Sequence, residues 1–142
     1  MKTLLFLLVS AFLLSSCDDQ TSQPGSVDPY ASWLSRGIHD YTIEQMNICY
    51  CVKGGMMMKL TVRADTVVQV MKLSDSTVLS PVDAKFYHSV KDMFDIIHNP
   101  GKDSLVVQYN SEFGYPEKLD INPQQHPYDG GVLIESSNLR VK

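Results

Sequence analysis

No run of basic residues occurs anywhere in these 142 residues, and acidic side chains outnumber basic ones 16 to 12. Nucleic acid and anionic lipid headgroups select for clustered Lys and Arg, so neither is expected as a partner. Catalytic signatures are missing too: there is no Gly-x-Ser-x-Gly elbow, no His-Glu-x-x-His helix and no phosphate-binding glycine loop. The four histidines, His39, His88, His98 and His126, are scattered without the short spacing of a zinc or copper site. No cofactor or bound metal is expected, and the balance is against an enzyme. Cysteine is scarce, with three residues, so the chain is not a disulfide-stapled scaffold. Long hydrophobic runs are limited to one, Leu4 to Leu14.

That run decides where the rest of the chain goes. Lys2, the apolar stretch and the small Ser15 and Ser16 form a secretory signal peptide over residues 1–16. It is too short to span about 30 Å of hydrocarbon as a helix, so cleavage is expected. Leu14, the two serines and Cys17 together resemble a bacterial lipoprotein box. The resemblance implies that the Cys17 thiol carries a diacylglyceryl group and that the newly exposed amine is acylated, for example with palmitate. Two or more chains, at about 0.8 kcal/mol per buried methylene, hold a protein on a membrane essentially permanently. The alternative, a secreted protein with a free Cys17, leaves an exposed unpaired thiol outside the cell. The expected location is the bacterial cell envelope, lipid-anchored and facing periplasm or exterior. Inner membrane, outer membrane and surface display all remain open.

Residues 17–28 form the anchor and a polar tether with Pro24 and Gly25. As a random coil it reaches roughly 20 Å. Residues 29–142 are long enough for one domain with a real core. Asp28-Pro29 opens a helix, and Tyr30, Trp33, Leu34, Gly37 and Tyr41 recur at helical spacing, which docks Trp33 on the core. Apolar residues then change phase: Tyr41 and Ile43 are odd, Met46, Ile48, Tyr50 and Val52 even. One flat strand cannot bury both sets, so a bulge is expected near Gln45 to Asn47.

Cys49 and Cys51 are the most reactive pair in the domain. In an oxidising compartment, with Cys17 lipidated, they are expected to join in a local disulfide. Same-face neighbours in a regular strand are too far apart for that bond, so the strand must curl or end there, and Lys53-Gly54-Gly55 allows it. Free thiols, or a redox or metal site on this pair, are the alternatives. Met56 to Met58 contain soft thioethers, but Met56, Met58, Leu60 and Val62 alternate with polar neighbours as a half-buried strand does. Ala64-Asp65 turns it into a second strand, Thr66 to Leu73.

Ser80-Pro81 caps a long second helix ending at Asn99-Pro100-Gly101, with Val82, Phe86, Val90, Met93, Phe94 and Ile97 as its apolar stripe. His88 and His98 fall off that stripe or at its end, as surface residues. Leu105 to Tyr109 and Leu119 to Ile121 read as strands, Pro116 as an edge or turn, and Val132 to Val141 as the strand or strand pair that closes the sheet. The fold class is α+β: an antiparallel sheet with two helices packed on one face, in an order that admits a duplicated α-β-β-β unit.

Trp33, Ile38-x-Asp40-Tyr41, Cys49-x-Cys51, Tyr109 with Gly114-Tyr115-Pro116, Ile121-Asn122-Pro123 and Asp129 together resemble an uncharacterised bacterial lipoprotein family, a domain of unknown function. The resemblance spans nearly all of the mature chain. It implies export and often a lipid anchor, and brings no established activity. Where the family pattern has acidic residues after the tyrosine and the aspartate, Asn110 and Gly130-Gly131 stand, which weakens any cation site there. Two function classes follow. The first is a non-enzymatic binding or inhibitory module, with one sheet face open to another envelope protein, similar at fold level to small periplasmic inhibitor-like domains. The second is a redox or metal module centred on Cys49 and Cys51.

Overall fold

The computed structural model describes residues 28–51, 53–128 and 130–142. The expected signal peptide, Cys17 and the tether before Asp28 lie outside them. Asp28 starts helix α1 (Pro29–Ser35) by accepting from the Tyr30 amide at 3.1 Å, with Pro29 in the first turn. Trp33 is the buried residue of this helix, whereas Leu34, expected beside it, is exposed.

Strands β1 (Tyr41–Ile48), β2 (Met57–Arg63) and β3 (Thr66–Lys72) follow as an antiparallel meander. Ala64 and Asp65 both have positive φ, the two-residue hairpin geometry that the sequence signals. Asp40 holds this turn by accepting from the Ala64 amide at 2.8 Å. Helices α2 (Pro81–Ala84) and α3 (Val90–His98) come next. The chain ends with β4 (Leu105–Tyr109), β5 (Pro116–Ile121), a 3₁₀ helix (Pro123–Tyr128) and β6 (Val132–Val141).

The six strands make one sheet in the order β3-β2-β1-β6-β5-β4. Its last strand thus closes the sheet from the middle, by inserting between β1 and β5. Pro116, expected at an edge or turn, lies on an interior strand; it is that strand's first residue and faces Tyr109 at a register shift, where a missing amide is tolerated. Helix-then-three-strands repeats in order, as expected. The helices share one face: Tyr30 of α1 packs on Phe94 of α3 with ring centroids 4.9 Å apart. Between helices and sheet lie Tyr41, Ile43, Met58, Leu60, Leu119 and Ile134, all essentially inaccessible. Among the described residues no helix is long and apolar enough to cross a membrane.

Two expectations are corrected. First, β1 does not change phase at Gln45: Tyr41, Ile43, Gln45 and Asn47 are all buried, while Ile48 and Tyr50 are exposed. The irregularity falls between Thr42 and Glu44, on the β6 side. Polar Gln45 can be buried because both ends of its amide are hydrogen-bonded there; Asn47 is held through its Nδ2 alone, its buried Oδ1 having no partner among the described residues. Gln45 Oε1 accepts from the His88 amide at 3.0 Å and its Nε2 donates to the His88 carbonyl at 3.1 Å. Asn47 Nδ2 donates to the Phe86 carbonyl at 2.7 Å.

Second, the long helix from Ser80 to Asn99 is two helices. The Phe86 and His88 backbone groups are taken by β1, and a fresh start is built at Ser89 by a capping box with Asp92. Val82 and Phe86, expected on the buried stripe, are therefore 69% and 66% exposed. His88, expected at the surface, is half-buried; burial pushes its pKa down and favours the neutral ring.

Candidate functional site

β1 ends at Ile48, and the chain returns to β2 through a tight turn. The Gly55 amide donates to the Asn47 carbonyl at 2.8 Å, and the Gly54 amide to the Cys51 carbonyl at 3.1 Å. Gly54 is required by space: a β-carbon there would lie 2.5 Å from the Cys49 carbonyl oxygen. Cys49 and Cys51 lie beyond the strand, where its regular spacing no longer applies, and are joined by a disulfide with α-carbons 5.2 Å apart. The bond leaves no thiolate for a metal. The Lys53 ammonium pairs with Asp83, fixing the turn to α2, and together with Ser80 it holds the Asp83 carboxyl below the usual range.

Tyr50, between the bonded cysteines, is 86% exposed. At the same end of the sheet stand Ile48, the last residue of β1, and Met56 and Leu73, next to the ends of β2 and β3. Val82 and Phe86 stand on the helical side, where Phe86, Cys51 and Lys53 line one small cavity of about 30 Å³. These are six of the eleven exposed large apolar side chains among the described residues. Two signals for them stand in the sequence: a tyrosine held between two cysteines, and the Ser89-x-x-Asp92 box that ends the stripe early.

Elsewhere the arrangement offers binding surface but little chemistry. A cleft of about 490 Å³ is walled by β3 valines, Leu79, Pro81 and Tyr87. His88 and Asp92 reach it, but Asp92 is occupied in capping Ser89. Among the described residues no group of three or more His, Cys, Asp or Glu gathers as a metal site would need. His39 and His126 pair with Asp65 and Asp120, at 2.7 and 2.8 Å, and His98 lies against Tyr30 and Phe94.

The residues of the sequence pattern serve architecture. Trp33 sits edge-on to Tyr41 and Tyr115, centroids 5.7 and 6.4 Å apart. Gly114, at φ +81°, lies so close to α1 that a β-carbon would be 2.8 Å from the Pro29 carbonyl oxygen. Asn110, where the pattern has an acid, accepts from the Glu112 and Phe113 amides at 3.1 and 2.9 Å and shapes the β4–β5 turn. Asn122 accepts from the Ser104 amide at 3.0 Å. Asp129 and Cys17 lie outside the described residues. No curated protein and no solved structure matches the chain. The family of unknown function DUF6174 matches residues 28–141, and the chain belongs to it.

Proposed function

We propose that this protein is an exported lipoprotein, anchored in the bacterial cell envelope through Cys17, whose domain is a non-enzymatic binding or inhibitory module for another envelope protein. The observation that carries the binding reading is the exposure of Ile48, Tyr50, Met56, Leu73, Val82 and Phe86 at the end of the sheet that holds the disulfide-closed turn. Large apolar side chains exposed at one end of a domain mark an interaction site, and an exposed tyrosine is a common anchor of such interfaces. The anchor reading is supported by the sequence around Cys17.

Two measurements test it. Full-length Cys17→Ser protein should move from the membrane fraction to the soluble exported fraction; retention on the membrane would reject the anchor. A photo-crosslinking residue at Tyr50 should give one adduct of defined mass with an envelope protein, and the same residue at Glu112, in the β4–β5 turn at the other end of the sheet, should not. Loss of that contrast, or robust turnover of a substrate by the purified protein, would reject the binding module.

Exposure of Cys51 favours the redox alternative, because a thiol reductant can reach it. Equilibration with glutathione decides between them: a disulfide that resists the glutathione pool is structural, and one that exchanges is a redox centre.

A further inference from the structure

The sheet face away from the helices gathers cations that are scattered in the sequence. Thr42 of β1 lies directly opposite Thr61 of β2 and Arg140 of β6, and Thr61 lies opposite Gln69 of β3. Directly opposed residues on neighbouring strands share a face, so Arg140, Thr42, Thr61 and Gln69 form one row across four strands. Lys59, two residues before Thr61, points the same way, and Lys142 follows β6. With Met71 these six wall a cleft of about 290 Å³, with Thr42, only 5% exposed, at its floor. The cleft lies toward the start of β1, away from the Cys49–Cys51 turn.

Every polar side chain lining the cleft can donate a hydrogen bond, and none is a carboxylate. Among the described residues Lys59, Arg140 and Lys142 form no ion pair, whereas Lys118, further along the same sheet face, pairs with Glu135 at 2.9 Å. Two acids stand beside the cleft and not in it. Glu44, opposite Lys59, accepts from Asn138 Nδ2 at 2.6 Å. Asp40, whose carbonyl takes the Lys142 amide, accepts from the Ala64 amide at 2.8 Å.

We infer that this cleft binds a phosphate group in its dianionic form, as inorganic phosphate or a small phosphate monoester carries it. Arginine presents a planar fork of donors to such an oxyanion and lysine a point charge. The Thr42 and Thr61 hydroxyls and the Gln69 amide add neutral donors, and a cleft lined by charge of one sign concentrates the opposite ion. Charge decides among oxyanions. A phosphate monoester carries about −1.5 to −2 at pH 7, so it matches the unpaired cations better than a carboxylate or the phosphodiester of a lipid headgroup, each with a single negative charge. Sites for small molecules run from roughly 300 to 1,000 Å³, which puts this cleft at the lower end and the ligand among small ones.

Calorimetric titration of the full-length exported protein, in detergent and at fixed ionic strength, tests this with inorganic phosphate as the probe. Saturable binding at one site is expected near neutral pH, with acetate about tenfold weaker or more. K59Q/R140Q should weaken phosphate binding by about tenfold or more, and K118Q should leave it unchanged, because Lys118 lies outside the cleft. No saturable binding, equal binding of acetate, or the same loss in K118Q would overturn the inference. The comparison with acetate uses the natural chain, so it decides the matter even where K59Q/R140Q fails to fold. Vesicles separate the two sources of phosphate: the exported Cys17→Ser protein should not sediment with phosphatidylglycerol vesicles. Sedimentation that K59Q/R140Q removes would place a lipid headgroup in the cleft and overturn the free ligand.

Discussion

Gln45 is fully buried, yet both ends of its amide are bonded to a segment 43 residues further along the chain. Tyr41 does the same for the start of α3, its hydroxyl accepting from the Val90 amide at 2.8 Å. Removing that hydroxyl strands a buried N–H, which costs about 1–3 kcal/mol, so Tyr41→Phe should lower stability to urea by that amount at neutral pH. Burial also pushes the Tyr41 pKa well above the ordinary tyrosine value. A group whose folded pKa is raised contributes stability that is complete below its unfolded pKa, about 10, and is lost as pH rises beyond it. Unfolding curves at pH 7 and above pH 10 should therefore show an alkaline loss of stability in the natural protein, and a shallower one in Tyr41→Phe. These roles were hidden in the sequence. The alternation of Tyr41, Ile43, Gln45 and Asn47 was there to read, but two polar residues in a buried phase make sense only once the carbonyls they meet are in place.

At the scale of elements, α1 and α3 are held by different means. α1 is short and docks through Trp33 against Tyr41 and Tyr115, over a turn that only glycine fits. Gly114→Ala combines a strained positive φ, of order 1–3 kcal/mol, with a β-carbon pressed on the Pro29 carbonyl. It should lower the unfolding midpoint and weaken the near-ultraviolet signal of Trp33, as α1 lifts from its seat. α3 depends on its own cap: Ser89→Ala removes the bond to the Asp92 amide at 3.1 Å and should cost about 1 kcal/mol, measured by chemical denaturation. Ser80-Pro81 and Ser89-x-x-Asp92 are both cap signatures in the sequence. The second was obscured by apolar residues continuing at helical spacing through Phe86 and Val90. Periodicity shows which residues could share a face, not whether β1 will take the backbone groups that the helix would need.

For the whole molecule, alternation was enough to mark the strands, and capping enough to start the helices, so the α+β class was legible. Strand order was not, because nothing local tells Val132–Val141 to insert between β1 and β5. That order gives the domain two ends. One holds Asp28 and the β4–β5 turn; the other, about 25 Å away at roughly 3.3 Å per residue of β1, holds the Cys49–Cys51 turn and its apolar neighbours. If those neighbours were misplaced core, making them polar would unfold the protein by several kcal/mol. If they form a docking surface, Val82→Ser with Phe86→Ser, both well exposed, should leave stability to urea within about 0.5 kcal/mol, as is usual at surfaces. The same change should abolish the adduct formed from the photo-crosslinker at Tyr50. Lost adduct at unchanged stability ties these residues to binding; a large drop in stability, or an adduct that survives, separates them from it.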